Sequence, residues 1–222
     1  MDTIKHFVHG VEQLGHRLDT RKIGAFERYL YELRRVNHVL RIISTNNLER
    51  IPSRHFLDSL MPALKGVLPT GGVIVDIGSG GGFPGIPLAI FLPGTHFVLV
   101  ESNYKKCAFL RMLRRALSLD NLNVCNVRIE RLSEKSSETL YDGAVARAVG
   151  SIGQLVEWGW PILKPGGKLI CYKGPGPDEE IDSAASVMEA QGMVWEATVP
   201  YEEGVVNSPT LVVLTKCEKE GP

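Results

Sequence analysis

The stretch "VIVDIGSGGGFPGIPLAI", Val73 to Ile90, decides the fold of this chain. Val73-Ile74-Val75-Asp76 is a short β-branched run closing on a carboxylate. Five of the nine positions that follow, Ile77 to Gly85, are glycine. Pro84 and Pro87 then open a helical apolar run. Glycines after a buried strand reach positive φ angles and let backbone N–H groups come close to a ligand. Proline suits the first helical turn, where its missing N–H has no partner to lose. Strand, glycine turn and helix in that order predict a backbone-lined pocket at the carboxyl edge of a parallel sheet.

Outward from this stretch the periodicity divides the chain in two. Before it, Ile4, Phe7, Val8, Val11, Leu14 and Leu18 keep helical spacing, as do Phe26, Leu30, Leu33, Val36 and Leu40. A third helical stretch runs from about Arg54 to Leu68. After it, Val/Ile-rich runs predict strands at Val73–Asp76, Phe97–Glu101, Val124–Ile129, Gly143–Ala146, Lys168–Tyr172, Val194–Val199 and Thr210–Thr215. Helical patterns such as Lys105–Leu119 and Ser151–Leu163 separate the earlier ones, which argues a parallel sheet with helices on both faces. No helix separates the last two, so a hairpin there introduces an antiparallel strand. The expected organisation is a helical cap, residues 1–70, on an α/β core, residues 71–217, as one continuous domain.

The glycine turn excludes some ligands. A phosphate loop needs GxxxxGK[ST], and no Lys-Ser/Thr follows these glycines. A dinucleotide fingerprint beginning at Gly78 wants glycine at the position of Phe83. A pyrophosphate gains nothing from Asp76 beside the glycines, whereas a cation does. S-adenosylmethionine carries a sulfonium and an ammonium, which an acid complements. Glu101, closing "HFVLVE", is placed to accept two ribose hydroxyls. The ribose of a nicotinamide cofactor would suit Glu101 equally, so the discrimination rests on Asp76 and Glu101 together.

Composition sets the setting. Across 222 residues, 25 basic and 25 acidic groups cancel. Residues 1–70 nevertheless hold 11 Lys/Arg and 7 Asp/Glu, leaving 14 against 18 beyond. That asymmetry fits an anion on the cap side or an ordinary helical surface. No apolar run approaches the roughly 20 residues of a membrane span. The four scattered cysteines form no CxxC pair, and reduced core residues are expected. A cytoplasmic protein without metal or membrane contact is the expectation.

At this point the residues resemble a known family. "VDIGSGGGFPGIPLAI", with "RHFLDSL" before it and "ESNYKKCAFLR" after it, is similar to the GidB/RsmG family of bacterial rRNA methyltransferases. "YDGAVARAV", "LKPGGKLICYKG" and the last strand follow in the family's order. The resemblance covers roughly residues 26–215. It implies a seven-strand Rossmann-like methyltransferase fold with an N-terminal helical cap. The implied reaction is S-adenosylmethionine-dependent methylation of guanine N7 in the 530 loop of 16S rRNA. By position, Gly78 and Phe83 match cofactor contacts, Glu101 the ribose acid, Ile129 and Glu130 the pair framing the adenine, and Arg147 an active-site arginine. Gly80 belongs to the same loop. Arg41-Ile42-Ile43 departs from the Asn-Leu-Thr usual in the family.

The chemistry agrees with that resemblance. Guanine N7 attacks with an in-plane lone pair and loses no proton, so alignment rather than a general base is required. The sequence has no [DN]PP[YF] segment for an exocyclic amine and no Pro-Cys nucleophile for a pyrimidine. Arg147 and Lys173 follow strands at the ligand edge and are the residues expected at the reacting end. Arg111, Arg114 and Arg115 read as RNA contacts or as a solvated helix face, and Arg34, Arg35, Arg41 and Arg54 as further candidates on the cap. His55 reads as catalytic or as a structural hydrogen-bonding group, the latter preferred, and Trp158, Trp160 and Trp195 as core. Neutral net charge points to a partly assembled small-subunit particle rather than naked rRNA; a monomer is the expected state. Two rivals stay open: a methyltransferase of small molecules or proteins, and a non-catalytic, ribosome-associated nucleotide-binding module.

Overall fold

The computed structural model of the protein describes residues 2–40, 51–132, 140–204 and 208–217. The departure at Arg41-Ile42-Ile43 lies outside the described residues. Seven strands form one sheet in the order β3-β2-β1-β4-β5-β7-β6. They are β1 Val73–Ile77, β2 His96–Glu101, β3 Leu122–Asn126, β4 Tyr141–Arg147, β5 Leu163–Lys173, β6 Met193–Pro200 and β7 Thr210–Lys216. β1 to β5 pair in parallel, and β7 runs antiparallel to both β5 and β6. Among the described residues no helix lies between β6 and β7, and their antiparallel pairing is that of a hairpin.

The strands alternate between two cores because successive side chains point to opposite faces. Ile74, Phe97, Leu99, Val145, Ile170, Leu211 and Val213 face one apolar cluster; Val75, Ile77, Val100, Ala144, Leu169, Val212 and Leu214 face the other. The first face is covered by α1 Asp2–Gln13, α2 Thr20–Leu40, α3 Leu57–Leu64, α4 Gly85–Phe91 and α5 Tyr104–Ala116. Phe7, Val11, Phe26, Tyr29 and Phe56 of the N-terminal segment belong to the same cluster as Ile74 and Phe97. The second face is covered by α6 Ile152–Gly159 and α7 Asp178–Gln191.

Local chemistry fixes the helix ends. Asn103 caps α5 by accepting from the Lys105 and Lys106 amides. Ser151 and Gln154 form a reciprocal capping box on α6. Three acids open α7, and Gly192 closes it at φ 66°.

Several expectations shift. β3 stops at Asn126 rather than Ile129, because the chain turns into a 3-10 helix at Ile129–Arg131. α1 ends at Gln13, short of Leu18, which is still buried. The stretch before α3 is a wide π turn, Ile51–Phe56. α7 was not expected between the fifth and sixth strands. Trp195 is 49% exposed, against the expected core position, since β6 is the edge strand and its register shifts there. Cys217 is exposed and Cys125 half-buried, whereas Cys107 and Cys171 are core; all four are free. Among the described residues no helix is long and apolar enough to cross a membrane. None of their His, Cys, Asp and Glu side chains form a group able to hold a metal ion.

Candidate active site

The strand order reverses between β1, which continues to β2, and β4 on its other side. In open α/β sheets the crevice at that reversal, beyond the carboxyl ends, is where ligands sit. The Gly78–Phe83 loop leaves β1 there, and Arg147 ends β4 beside it.

The loop is tied down at its start and open at its crest. The amides of Gly78 and Ser79 donate to the Val100 carbonyl of β2 at 2.9 and 3.0 Å. Gly78 has φ +70°, and a Cβ there would come within 2.8 Å of Val149 beyond β4, so no side chain fits. Gly82, at φ +100°, would meet both Ile86 and the Tyr29 hydroxyl, 2.7 Å away. At Gly80 a Cβ would meet only the Gly78 carbonyl, at 3.8 Å. That is where a ligand can approach the backbone.

The two strand-terminal acids have different jobs. Glu101, 7% exposed, accepts from the Gly80 amide at 3.0 Å through Oε2 and from the Asn103 amide at 2.8 Å through Oε1. It therefore joins the glycine loop to the start of α5. Asp76 is fully buried; its Oδ2 accepts from the Gly85 amide at 3.0 Å, and its Oδ1 has no hydrogen-bond partner. Burial pushes its pKa up to about 7, against the pull of the Gly85 amide, while the Ser79 hydroxyl donates to the Asp76 backbone carbonyl at 3.1 Å. The Asp76 carboxyl lies beneath the loop, against the start of α4, whereas Glu101 stands at its crest. The register explains the difference. Asp76 pairs with Leu99, so Glu101 stands two residues further along, about 7 Å nearer the edge.

The cap reaches into this edge. Tyr29 of α2 is fully buried and donates to the Gly81 carbonyl at 2.7 Å. Its ring stacks on Phe83 and Phe56, with centroids 5.4 and 5.2 Å apart, and Phe83 also meets His55 at 5.4 Å. Phe83 is thus half-buried in an aromatic group shared by loop and cap. Arg147 crosses to the same segment. Its Nη1 donates to the His55 carbonyl and the Ser59 hydroxyl, both at 3.2 Å, and its Nη2 pairs with Asp58 Oδ2 at 3.2 Å. Nη2 also lies 3.1 Å from His55 Nδ1, which must accept, since a guanidinium only donates. Burial and the charges of Arg147 and Arg54 lower the His55 pKa to about 4. Burial raises that of Asp58, offset in part by the same two arginines. The His55 reading as a structural group fits this geometry.

Arg147 and Lys173 line a cavity of about 620 Å³ between the ends of β4 and β5, walled by Arg54, Asp58 and Tyr201. Ala148, at φ +57°, bends the chain at its rim, a conformation uncommon outside glycine. Lys173 builds the wall more than it faces the cavity: its ammonium donates to the Gly150 carbonyl at 2.9 Å and pairs with Glu180 at 2.6 Å. Tyr172, beside it, donates to the Ser59 carbonyl of the cap at 2.7 Å. Ile129 is half-buried against the second core, and Glu130 is exposed on the 3-10 turn after β3. Gly78, Gly80, Phe83, Glu101 and Arg147 are brought to the carboxyl edge around the reversal, with Ile129 and Glu130 beyond β3 and Asp76 beneath. Sequence reasoning missed Tyr29, Ser59, Tyr172 and Asn103. Only Asn103 left a signal, as a capping residue before a helical run.

These residues fit S-adenosylmethionine. Glu101 supplies a nearly buried carboxylate at the β2 end, Gly80 an unobstructed backbone, and Ile129 an apolar wall with Glu130 next to it.

Comparison with known proteins follows the same line. The family model described as rRNA small subunit methyltransferase G (GidB) matches residues 22–206. Ribosomal RNA small subunit methyltransferase G of Roseiflexus castenholzii is 40% identical over 204 residues, covering 91% of this chain and 86% of the relative. The protein of that name from Carboxydothermus hydrogenoformans is 36% identical over 208 residues, 93% of this chain and 88% of the relative. Among solved structures, M. jannaschii TYW2 in complex with AdoMet has a TM-score of 0.56 at 16% identity, covering 78% of this chain and 76% of that one. Aeropyrum pernix fibrillarin with natively bound S-adenosyl-L-methionine has a TM-score of 0.55 at 16% identity, covering 69% and 72%. Likeness at such identity speaks for the fold alone.

Proposed function

The chain belongs to the family of rRNA small subunit methyltransferase G, S-adenosylmethionine-dependent enzymes. From that premise we propose that it methylates N7 of a guanine in the 530 loop of bacterial 16S rRNA. In this reading the enzyme is a cytoplasmic monomer, and its substrate is a small-subunit ribosomal particle. The observation that carries the reading is the match over residues 22–206, which spans the glycine loop, Glu101, Arg147 and Lys173 together.

When bound, S-adenosylmethionine supplies an electrophilic methyl group on a sulfonium. Glu101 would accept the ribose hydroxyls, the Gly78–Gly80 backbone would line the amino-acid side, and Ile129 with Glu130 would frame the adenine. Guanine N7 carries an unshared pair and no proton, so the protein's task is alignment of the base. His55 fits that economy: its Nδ1 accepts from Arg147, so the ring proton sits on the buried Nε2. Arg147, whose terminal N–H groups go to His55, Asp58 and Ser59, would turn its remaining Nε–H to the guanine or its phosphate. Lys173, tied to Gly150 and Glu180, would keep the β5 wall in place.

The test uses radiolabelled S-adenosylmethionine and small subunits from cells lacking the modification. The rRNA is digested to nucleosides and separated against a 7-methylguanosine standard. Label co-migrating with that standard is the expected result. Label in another nucleoside would move the target atom, and cofactor binding without RNA label would move the substrate to small molecules or proteins.

A further inference from the structure

The β2/β3 corner of the carboxyl edge carries exposed side chains besides Glu101, Ile129 and Glu130. Asn126 at the end of β3 donates to the Glu101 and Ser102 carbonyls, both at 3.0 Å, which joins the β2 exit to the β3 exit. Ser102–Lys106 and Arg128–Arg131 therefore lie at the same corner of the sheet, next to Glu101. Tyr104 stands there 72% exposed, an aromatic ring held out into solvent at the first position of α5. Lys105 and Lys106 follow it, and Arg128 and Arg131 are exposed on the adjoining turn. Among the described residues none of these four cations is in an ion pair. Glu130 is the single exposed acid within Arg128–Arg131.

The placement breaks a local rule. The first turn of a helix carries the positive end of its dipole, where acids stabilise and cations do not. α5 has no acid in its first turn and two lysines instead, with its own amides already capped by Asn103. Departures of this kind from local consistency are expected at functional sites. An exposed aromatic ring beside cations outside ion pairs fits single-stranded nucleic acid, whose bases stack on the ring while phosphates take the cations.

The geometry points to this corner as a docking site for an unpaired segment of the rRNA substrate, with Tyr104 as stacking platform and Lys105, Lys106 and Arg128 as phosphate contacts. The assignment rests on the rRNA-methyltransferase reading. The test is steady-state kinetics on small subunits lacking the modification, with saturating S-adenosylmethionine, alongside calorimetric cofactor binding. Tyr104→Ala is expected to raise KM for the particle about fivefold or more, the effect of losing one base stack. Its kcat and cofactor Kd stay near wild type, and Tyr104→Phe restores KM. Lys105→Ala with Lys106→Ala is expected to flatten the dependence of log KM on log salt by about 0.7 per lost phosphate contact. An unchanged KM in Tyr104→Ala overturns the inference. A weakened cofactor Kd also overturns it, since Tyr104 would then belong to the cofactor site. If wild-type enzyme labels no rRNA, the underlying reading fails and this one with it. Label by wild type with unchanged KM in the variant refutes the docking site alone.

Discussion

Asp76→Asn separates a structural acid from a cofactor contact. The Asp76 carboxyl is fully buried and has one oxygen without a partner. Its pKa is raised from 3.8 to about 7 in the folded protein. The folded state therefore holds a proton that the unfolded chain releases, and stability falls as pH climbs from about 4 to 7. At about 1.4 kcal/mol per unit, the ionised group costs about 4 kcal/mol above pH 7. Asparagine keeps an acceptor for the Gly85 amide and carries no charge. Its NH2 takes the place of the unpartnered oxygen and costs about 1–3 kcal/mol as an unsatisfied donor. The net expectation is a gain of about 1–3 kcal/mol at pH 7.5, shrinking and reversing towards pH 4. Urea unfolding of both proteins at half-unit steps from pH 4 to 8 measures it. Two stability curves running parallel across that range would refute the raised pKa. Calorimetry on the same proteins tests the function: a carboxylate behind the loop predicts cofactor Kd within a few-fold of wild type. A loss beyond about tenfold, or 1.4 kcal/mol, would mean that its charge acts on the cofactor.

Glu101→Ala removes the acceptor for the Gly80 and Asn103 amides and, in the proposed reading, the one for the ribose. S-adenosylmethionine binding is expected to weaken by about 1.5–3 kcal/mol, and an unchanged calorimetric Kd would take Glu101 out of the site. Tyr29→Phe leaves the Gly81 carbonyl without its donor; a stability loss of about 1 kcal/mol, read as a melting point about 2–4 °C lower, should come with weaker cofactor binding. Unchanged cofactor affinity at the lowered melting point would limit Tyr29 to packing. Arg147→Ala should reduce turnover on small subunits at least about tenfold, the worth of one oriented charged hydrogen bond, and lower the melting point by loosening Asp58 and Ser59. Wild-type turnover in that variant would make Arg147 a strut between β4 and the cap.

What the sequence determined by itself is local or periodic. Strand and helix alternate with readable periods, so the parallel sheet, its helical faces and the closing hairpin follow from apolar spacing alone. The glycine loop and Glu101 were legible because backbone freedom and a strand-terminal acid leave chemical signatures at fixed positions. What only the tertiary structure decided are relations between segments far apart in the chain. Asp76 and Glu101 carry the same signature, an acid closing a strand. The pairing of Asp76 with Leu99 sinks one beneath the loop and leaves the other on the edge. Tyr29 donates to Gly81 across 52 residues, and Arg147 reaches His55 across 92. Neither contact has a local signal. Their partners meet because the N-terminal helices pack on the same sheet face as α4, and that packing is chosen by the joint burial of both segments.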